Sequence, residues 1–551
     1  MTDHKRTAQL IFPDVEKTTE YYEELYPPRE LPEGARVTRF SPSPTGYLHF
    51  GGLYASYASK LTAERSGGLF MLRIEDTDKK REVEGGVDCI INGLAAFGVA
   101  PDEGVTGEGT EKGNYGPYTQ SLRREIYRAF AKKLVEEGRA YPCFCTPEEL
   151  EDIRNRQENE DIKGYYGKYA KCRDLSDEEI EEKIKNGTPF TVRLRSEGDI
   201  LRKIRFDDMI KGKIEMSENV NDIVILKTDG IPTYHFAHAV DDHLMRTTHV
   251  VRGDEWIASV PLHLELFRAL GFKPVKYAHF APIMKEENGG KRKISKRKDP
   301  EANVTFYIEK GYPEESVREY ILTILNSDFE DWRRANKTED ISKFPFNLKK
   351  MSLSGALFDI VKFNDVSKNA ISVMSAQKVY ELVEKWAQDY DKELYELFTA
   401  DSEKAKAILN IDRENPKPRK DIACWSEVRD YVTYFYNELY TPEFTLPYRM
   451  DKQSVAEILG KYKDMYSDSD SKDEWFAKIK ELCEQCGYAP NVKEYKQNPD
   501  AFKGHVGDVS SVIRVAVTSR VNTPDLYYIM QILGKGEVIR RIDSVIDSIK
   551  G

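Results

Sequence analysis

The chain has 551 residues, 40% hydrophobic and 32% charged, with seven cysteines and a formal net charge of −11. That size is enough for several domains, and an odd cysteine set in so long a chain argues against a disulfide framework. No apolar run reaches the roughly 18 residues of a membrane span, and the start MTDHKRTAQLIFPDVEK lacks a secretory signal's apolar core, so a cytoplasmic protein is expected.

Residues 1–34 are acidic and proline-punctuated and predict an extension with a helix at about 15–25. Val37, Arg39 and Ser41 then alternate with Thr38 and Phe40 as a short strand, which runs into the stiff turn Ser41-Pro-Ser-Pro-Thr-Gly46. Helical spacing starts near His49 and continues through Leu53, Tyr57 and Leu61 to Gly67-Gly68. A strand, a tight turn and a glycine-opened helix gather backbone N–H groups and a positive dipole end, an arrangement suited to phosphate. The imidazole of His49 can donate there, although His49-x-Gly51-Gly52 alone also fits an ordinary surface histidine.

A strand at 69–74 and helices at 81–97 and 121–137 extend the alternation, which argues for a parallel sheet with helices on its faces. No GxGxxG fingerprint and no GxxxxGK[ST] loop is present. Glu75 follows a strand's carboxyl end, where open α/β sheets hold ligands, although Glu75-Asp-Thr-Asp78 can also cap a helix. From about 140 the pattern changes. Cys143-Phe-Cys145 with the later Cys172 can form part of a tetrahedral zinc site, the alternative being three unligated thiols.

An apolar strand returns at Asp222–Lys227, and a further one at Thr247–Val251 ends in Arg252 beside a helix N-terminus. A lone arginine there is usually a surface salt-bridge partner. Arg39 occupies a corresponding strand end, however, and two guanidiniums suit a dicarboxylate. Lys291-Arg-Lys293-Ile-Ser295-Lys296-Arg297-Lys298 reads as a flexible basic loop. From about 377 the chain is helical, with core stripes at Trp425, Val428, Val432, Phe435 and Leu439 and at Val455, Ile458, Leu459, Tyr462 and Met465. Ser467–Glu474 is expected to join two helical bundles, and Cys483-x-x-Cys486 to be structural.

His49-x-Gly51-Gly52 and Lys293-Ile-Ser295-Lys296-Arg297 together resemble the paired signatures of class I aminoacyl-tRNA synthetases, conventionally written HIGH and KMSKS. The Arg39-x-Ser-Pro-Ser-Pro-Thr-Gly46 lead-in, Arg73-Ile-Glu75-Asp-Thr-Asp78 and Thr233-Tyr234-His-x-Ala237 narrow the resemblance to the glutamyl/glutaminyl branch, and the helical tail to its bacterial type. The resemblance runs from about Arg36 onward and implies a Rossmann-like parallel-sheet catalytic domain in two halves, 35–140 and 227–290. An α/β acceptor-binding insertion would occupy 141–226 and a stem-contact domain 291–376. An all-helical anticodon-binding region would follow at 377–475 and 476–551. The extension at 1–34 departs from the family pattern.

The implied activity is ATP- and Mg2+-dependent activation of glutamate and its transfer to tRNA-Glu, by a monomer with no membrane partner. An enzyme that also charges tRNA-Gln, a non-catalytic tRNA-binding relative and another nucleotidyltransferase are the alternatives. The resemblance implies an ATP site of His49, Gly51, Gly52, Lys293, Ser295, Lys296 and Arg297, with His49, Lys293 and Lys296 catalytic. It implies a glutamate shell of Arg39, Ser41, Ser43, Glu75, Tyr234, His238, Arg252 and Glu255. Where glutaminyl enzymes carry a small thiol side chain, this chain has Arg252. A buried arginine robbed of its carboxylate costs about 3–5 kcal/mol, so glutamine is expected to be rejected. His238 stands where many members place asparagine. Some members carry Cys-x-Cys followed by Cys-x-His, and Asp174 stands at that histidine's place as fourth zinc ligand, with Tyr169 a second candidate.

Overall fold

The structure is a computed structural model that describes residues 3–160, 163–446 and 450–550. The chain divides into two units, Met1–Ile308 with Arg318–Asp359, and Glu309–Val317 with Ile360–Gly551.

The first unit begins with α1 (His4–Ile11), whose N-cap Asp3 accepts from the N–H groups of Lys5 and Arg6, and α2 (Thr19–Leu25), capped by Thr18. Only α2 falls in the span where a helix was expected. The parallel sheet follows: β1 (Val37–Phe40) pairs in parallel with β2 (Leu69–Leu72), Val37 opposite Leu69 and Phe40 opposite Leu72. Between them runs α3 (Phe50–Glu64), and α4 (Gly86–Ala95) precedes β3 (Glu103–Gly107), parallel to β2, and β4 (Thr110–Lys112), antiparallel to β3. The run Leu-Phe-Met-Leu in β2 is apolar on both faces because both are covered, and Phe70, Met71 and Leu72 are fully buried.

After α5 (Arg124–Glu136) the chain leaves the sheet for the insertion. Here β5 (Ala140–Cys143), β6 (Thr191–Leu194) and β9 (Val224–Leu226) form an antiparallel sheet in that order. Two helices, α6 (Pro147–Arg156) and α7 (Asp177–Lys185), each open with a capping box, and Tyr141, Phe144, Ile153 and Ile180 make a separate small core. A hairpin of β7 (Lys203–Asp208) and β8 (Gly212–Ser217) completes it.

The sheet resumes after α8 (Tyr234–Leu244). The Thr248 N–H donates to Val37 O at 2.9 Å, which sets β10 (His249–Gly253) beside β1. After α9 (Val260–Ala269), β11 (Lys276–Phe280) pairs in parallel with β10. The basic segment expected to be a flexible loop starts instead as a strand: β12 (Met284–Glu287) and β13 (Gly290–Lys293) form an antiparallel hairpin, so Lys291–Lys293 are held in register.

The second unit is helical, with two apolar clusters. One holds Val379, Val383, Trp425, Val428, Val432 and Phe435. The other holds Val455, Ile458, Leu459 and Tyr462 together with Trp475, Ile479 and Leu482. Ser467–Ser471 is therefore a turn inside one cluster rather than a join between bundles, and Lys472–Glu474 open the helix that follows. The helices on either side of it share a core, and the Trp475 indole donates to the Tyr462 hydroxyl at 2.9 Å. Cys483 and Cys486 are buried in that same cluster.

Candidate active site

A cleft of about 750 Å3 opens at the carboxyl ends of β1, β2 and β10, against β13. Of the residues expected at the site, Arg39, Ser41, Ser43, Glu75, Tyr234, Arg252 and Glu255 line it, as do His49, Gly51, Gly52 and Lys293. His238, Ser295, Lys296 and Arg297 do not.

His49 is the N-cap of α3, and its Nδ1 accepts the Gly51 N–H at 2.8 Å. The ring folds back over the first turn because nothing stands in its way. A Cβ on Gly51 would approach His49 Nδ1 to 3.0 Å, and one on Gly52 would approach Leu48 to 3.0 Å and Phe40 to 3.2 Å. Burial, aided by the charges of Lys296 and Lys293, lowers the imidazole pKa to about 4. The ring is thus neutral, its Nδ1 lone pair is in use, and its proton sits on Nε2 as a donor.

The segment after β13 is folded onto one buried carboxylate. Asp299 accepts from Arg292 at 2.7 Å through each oxygen, from the Ser295 N–H at 2.9 Å and from Lys285 at 3.3 Å. The Arg292 guanidinium first, then Ser295 and Lys285, hold its pKa well below the usual carboxylate range. Lys296 donates to the carbonyl of Tyr47, and burial lowers its pKa. Lys293 is the ammonium of this segment that faces the cleft.

Behind the cleft, α8 brings two buried carboxylates against the guanidiniums. Asp241 takes Arg123 at 2.7 Å; Asp242 takes Arg73 at 2.7 Å and Arg39 at 3.3 Å. Burial alone would raise the Asp242 pKa, but Arg39 and Arg73 drive it well below the ordinary value. His238 belongs to this layer. It is fully buried, with Nδ1 2.7 Å from Asp242 and Nε2 2.9 Å from the Tyr277 hydroxyl, and burial brings its pKa to about 3. Both nitrogens are occupied, so it orders Asp242 and through it Arg39, and does not reach the cleft. Glu75 does reach it. Burial raises its pKa to about 7 against the pull of Arg73 and Arg39, so near neutral pH the carboxyl is poised between its two states.

Arg252 differs from the other buried guanidiniums. It is only 6% exposed, and its partners are His279 Nε2 at 3.0 Å, His263 Nδ1 at 3.3 Å and the Tyr234 hydroxyl at 3.3 Å. Among the described residues it has no ion pair within 4 Å. Ser41 Oγ, in the same cleft, is buried and has no hydrogen-bond partner. A buried cation without a counter-ion and an unpaired hydroxyl in one cleft suit a carboxylate. Glu255 lies exposed at the rim.

In the insertion, the thiols of Cys143, Cys145 and Cys172 lie within 4.8 Å of one another, with Cys145 and Cys172 3.6 Å apart. Asp174 does not join them. It is 86% exposed on its side chain and pairs with Arg195 at 3.1 Å. Tyr169 donates to Glu160 instead. The oxygen that closes the group is the Tyr165 hydroxyl, 3.2 Å from Cys145 and 3.6 Å from Cys143. Nothing in the sequence ranks Tyr165 above Tyr169, because the loop between them sets which ring turns inward. Other residues line the cleft without having been expected there, Lys227, Trp256, Asp78 and Arg81 among them. Lys227 follows the strand β9, so the strand-end argument that found Arg252 would have found it. Trp256 packs on Tyr234 at a tilt of 35°, with centroids 4.3 Å apart.

Residues 36–365 match the family described as tRNA synthetases class I (E and Q), catalytic domain, and residues 493–546 match an anticodon binding domain. A glutamate–tRNA ligase of Clostridium perfringens (strain 13) is 51% identical over 98% of this chain and 100% of its own length. One of Acetivibrio thermocellus is 48% identical over 99% of this chain and 100% of its own. A solved glutamate tRNA ligase of Elizabethkingia meningosepticum, in complex with its amino acid, superposes with a TM-score of 0.75 at 28% identity over 93% of this chain and 99% of that one.

Proposed function

The chain belongs to the class I tRNA synthetases of the glutamate and glutamine branch and is a glutamate–tRNA ligase by descent, and from that premise we propose how its cleft does the work. Glutamate's α-carboxylate attacks the α-phosphorus of ATP in line, releasing pyrophosphate and leaving glutamyl-adenylate. The 2′-hydroxyl of the terminal adenosine of tRNA-Glu then takes the acyl group and AMP departs. Mg2+ arrives as the counter-ion of ATP and belongs to that substrate. No general base is needed for the first step, since the attacking carboxylate is already ionised. Catalysis is positioning and charge stabilisation.

His49 Nε2–H and the Gly51–Gly52 backbone hold the nucleotide from one side, and Lys293 meets the phosphates from the other. Lys296, with Ser295 and Arg297, comes to the phosphates by leaving its bond to Tyr47. Arg252, Arg39 and Ser41 take the carboxylates of glutamate, Tyr234 and Ser43 bound its chain, and Glu75 faces its ammonium. The observation that carries this reading is Arg252, buried with neutral partners only. Neutral glutamine would leave that charge unanswered. Charging of purified tRNA-Glu by an Arg252→Cys protein, with glutamate against glutamine, tests it.

In the same reading, Cys143, Cys145, Cys172 and Tyr165 would hold a structural zinc. A tetrahedron with Zn–S bonds of about 2.3 Å has edges of about 3.8 Å, close to the 3.6 Å between Cys145 and Cys172. The metal would tie the end of β5 to the segment 165–172 and take no part in the chemistry. The enzyme is read as a monomer acting in the cytoplasm. Among the described residues, no helix is long and apolar enough to cross a membrane.

A further inference from the structure

The hairpin β7–β8 belongs to the insertion, yet its tip is built into the wall behind the glutamate subsite. Asp208, the last residue of β7, is 4% exposed. Its Oδ1 accepts the N–H groups of Ile210 and Lys211 at 2.9 and 2.8 Å and so closes the hairpin turn. Its Oδ2 lies 2.7 Å from His279 Nδ1 and 3.1 Å from the His279 main-chain N–H. Two further bonds seat the tip. The Met209 N–H donates to Tyr277 O at 2.9 Å, and the Lys211 ammonium reaches Asp254, two residues past Arg252, at 2.9 Å.

The direction of the hydrogen bonds through His279 follows from its partners. A carboxylate can only accept, so Nδ1 carries the imidazole proton and Nε2 keeps its lone pair. That lone pair receives the Arg252 Nε–H at 3.0 Å. An opposite tautomer would set N–H against N–H. The bond at Nε restrains the planar guanidinium, which lines the cleft and keeps N–H groups that His263 and Tyr234 do not use.

We propose that Asp208 and His279 are positioning residues for glutamate recognition: a chain Asp208–His279–Arg252 carries the placement of the insertion's hairpin to the guanidinium that takes the substrate carboxylate. The proposal rests on the reading of Arg252 as the carboxylate's partner. It makes amino-acid affinity a property of the insertion as well as of the sheet.

The test is steady-state aminoacylation by the full chain carrying His279→Leu or His279→Gln. Glutamine at 279 can place an amide oxygen where Nε2 accepts, and leucine cannot. His279→Leu is expected to raise the glutamate KM about 10- to 100-fold, as for a buried charged donor left without its acceptor. The KM values for ATP and tRNA should stay within about twofold, the preference for glutamate over glutamine should narrow, and His279→Gln should restore most of the loss. A folded leucine variant with an unchanged glutamate KM overturns the proposal. So does a rise shared equally by all three substrates, or a glutamine variant as impaired as leucine. Should the leucine protein not fold, Asp208→Asn carries the test: a several-fold rise confined to the glutamate KM supports the chain, and an unchanged KM overturns it. Arg252→Lys, measured alongside, separates the two readings. If it too leaves the glutamate KM unchanged, Arg252 is not the carboxylate's partner; if it alone raises that KM, only the positioning chain falls.

Discussion

The main-chain N–H of Gly51 donates to Nδ1 of His49 across 2.8 Å, and this bond decides what the imidazole can do. It leaves Nε2–H as the only proton the ring can offer. Replacing His49 by alanine should lower kcat about 10²- to 10³-fold, the range for losing one pre-placed donor to a charged transition state. Its pKa, lowered to about 4, means that the ring takes no second proton as pH falls from 8 to 5. A pH profile of the His49→Ala protein should therefore run parallel to that of the parent over this range. An inflection near 6.5 in the parent that the variant lacks would contradict the neutral-donor role.

Glu75 predicts the opposite behaviour. With its carboxyl pKa raised to about 7, it is mostly protonated at pH 6 and mostly ionised at pH 8. Only the ionised form pairs with the substrate's ammonium. The glutamate KM should accordingly fall by about tenfold between pH 6 and pH 8, and the Glu75→Gln protein should show a raised KM with no such slope. A parent KM that does not change with pH would remove Glu75 from the ammonium's partners.

Asp299 is 1% exposed and gathers Arg292, Lys285 and the Ser295 N–H, so it holds the lysine segment in its turn. Hydrogen bonds to charged groups contribute about 1.5–3 kcal/mol each. Asp299→Ala should lower kcat by about 10- to 100-fold while the glutamate KM stays near the parent's, because the glutamate groups lie on other strands. An equal loss in both, measured by single-turnover and steady-state kinetics, would mean that the segment does not act on the phosphates alone.

Purified protein should contain close to one zinc per chain by elemental analysis, and Cys143→Ser should contain almost none. Tyr165→Phe should bind zinc more weakly while Asp174→Ala binds it as the parent does. Full metal content in a Cys143→Ser protein would leave the three thiols as an unligated cluster.

How much of this was legible in the sequence depends on the range of the forces involved. β2 could be read from its apolar run, and α3 from its spacing and from the glycines beside His49. Arg39, Glu75 and Arg252 could be read because a residue at or just past the carboxyl end of a strand lies at the ligand edge. The hairpin β12–β13 was missed although its signal was present: Asn288 and Gly289 both take positive φ, 52° and 76°, between two strands. The rest had no local signal. His238 looked like a substrate contact until Asp242 and Tyr277 were seen to occupy both its nitrogens. The partners of Arg252 come from α8, α9 and β11, and Asp208 from a hairpin in another part of the chain. Such pairings are fixed by the fold and by no sequence spacing.

The proposed role of Arg252, a buried cation, is to take the side-chain carboxylate of glutamate. It is tested most directly by the ratio of kcat/KM for glutamate to that for glutamine in charging tRNA-Glu, compared between the parent and Arg252→Cys. Removing the guanidinium should lower kcat/KM for glutamate by about 10²- to 10⁴-fold, the equivalent of about 3–5 kcal/mol, while glutamine gains relative to it and the ratio collapses. A ratio that Arg252→Cys leaves at the parent's value would contradict the account.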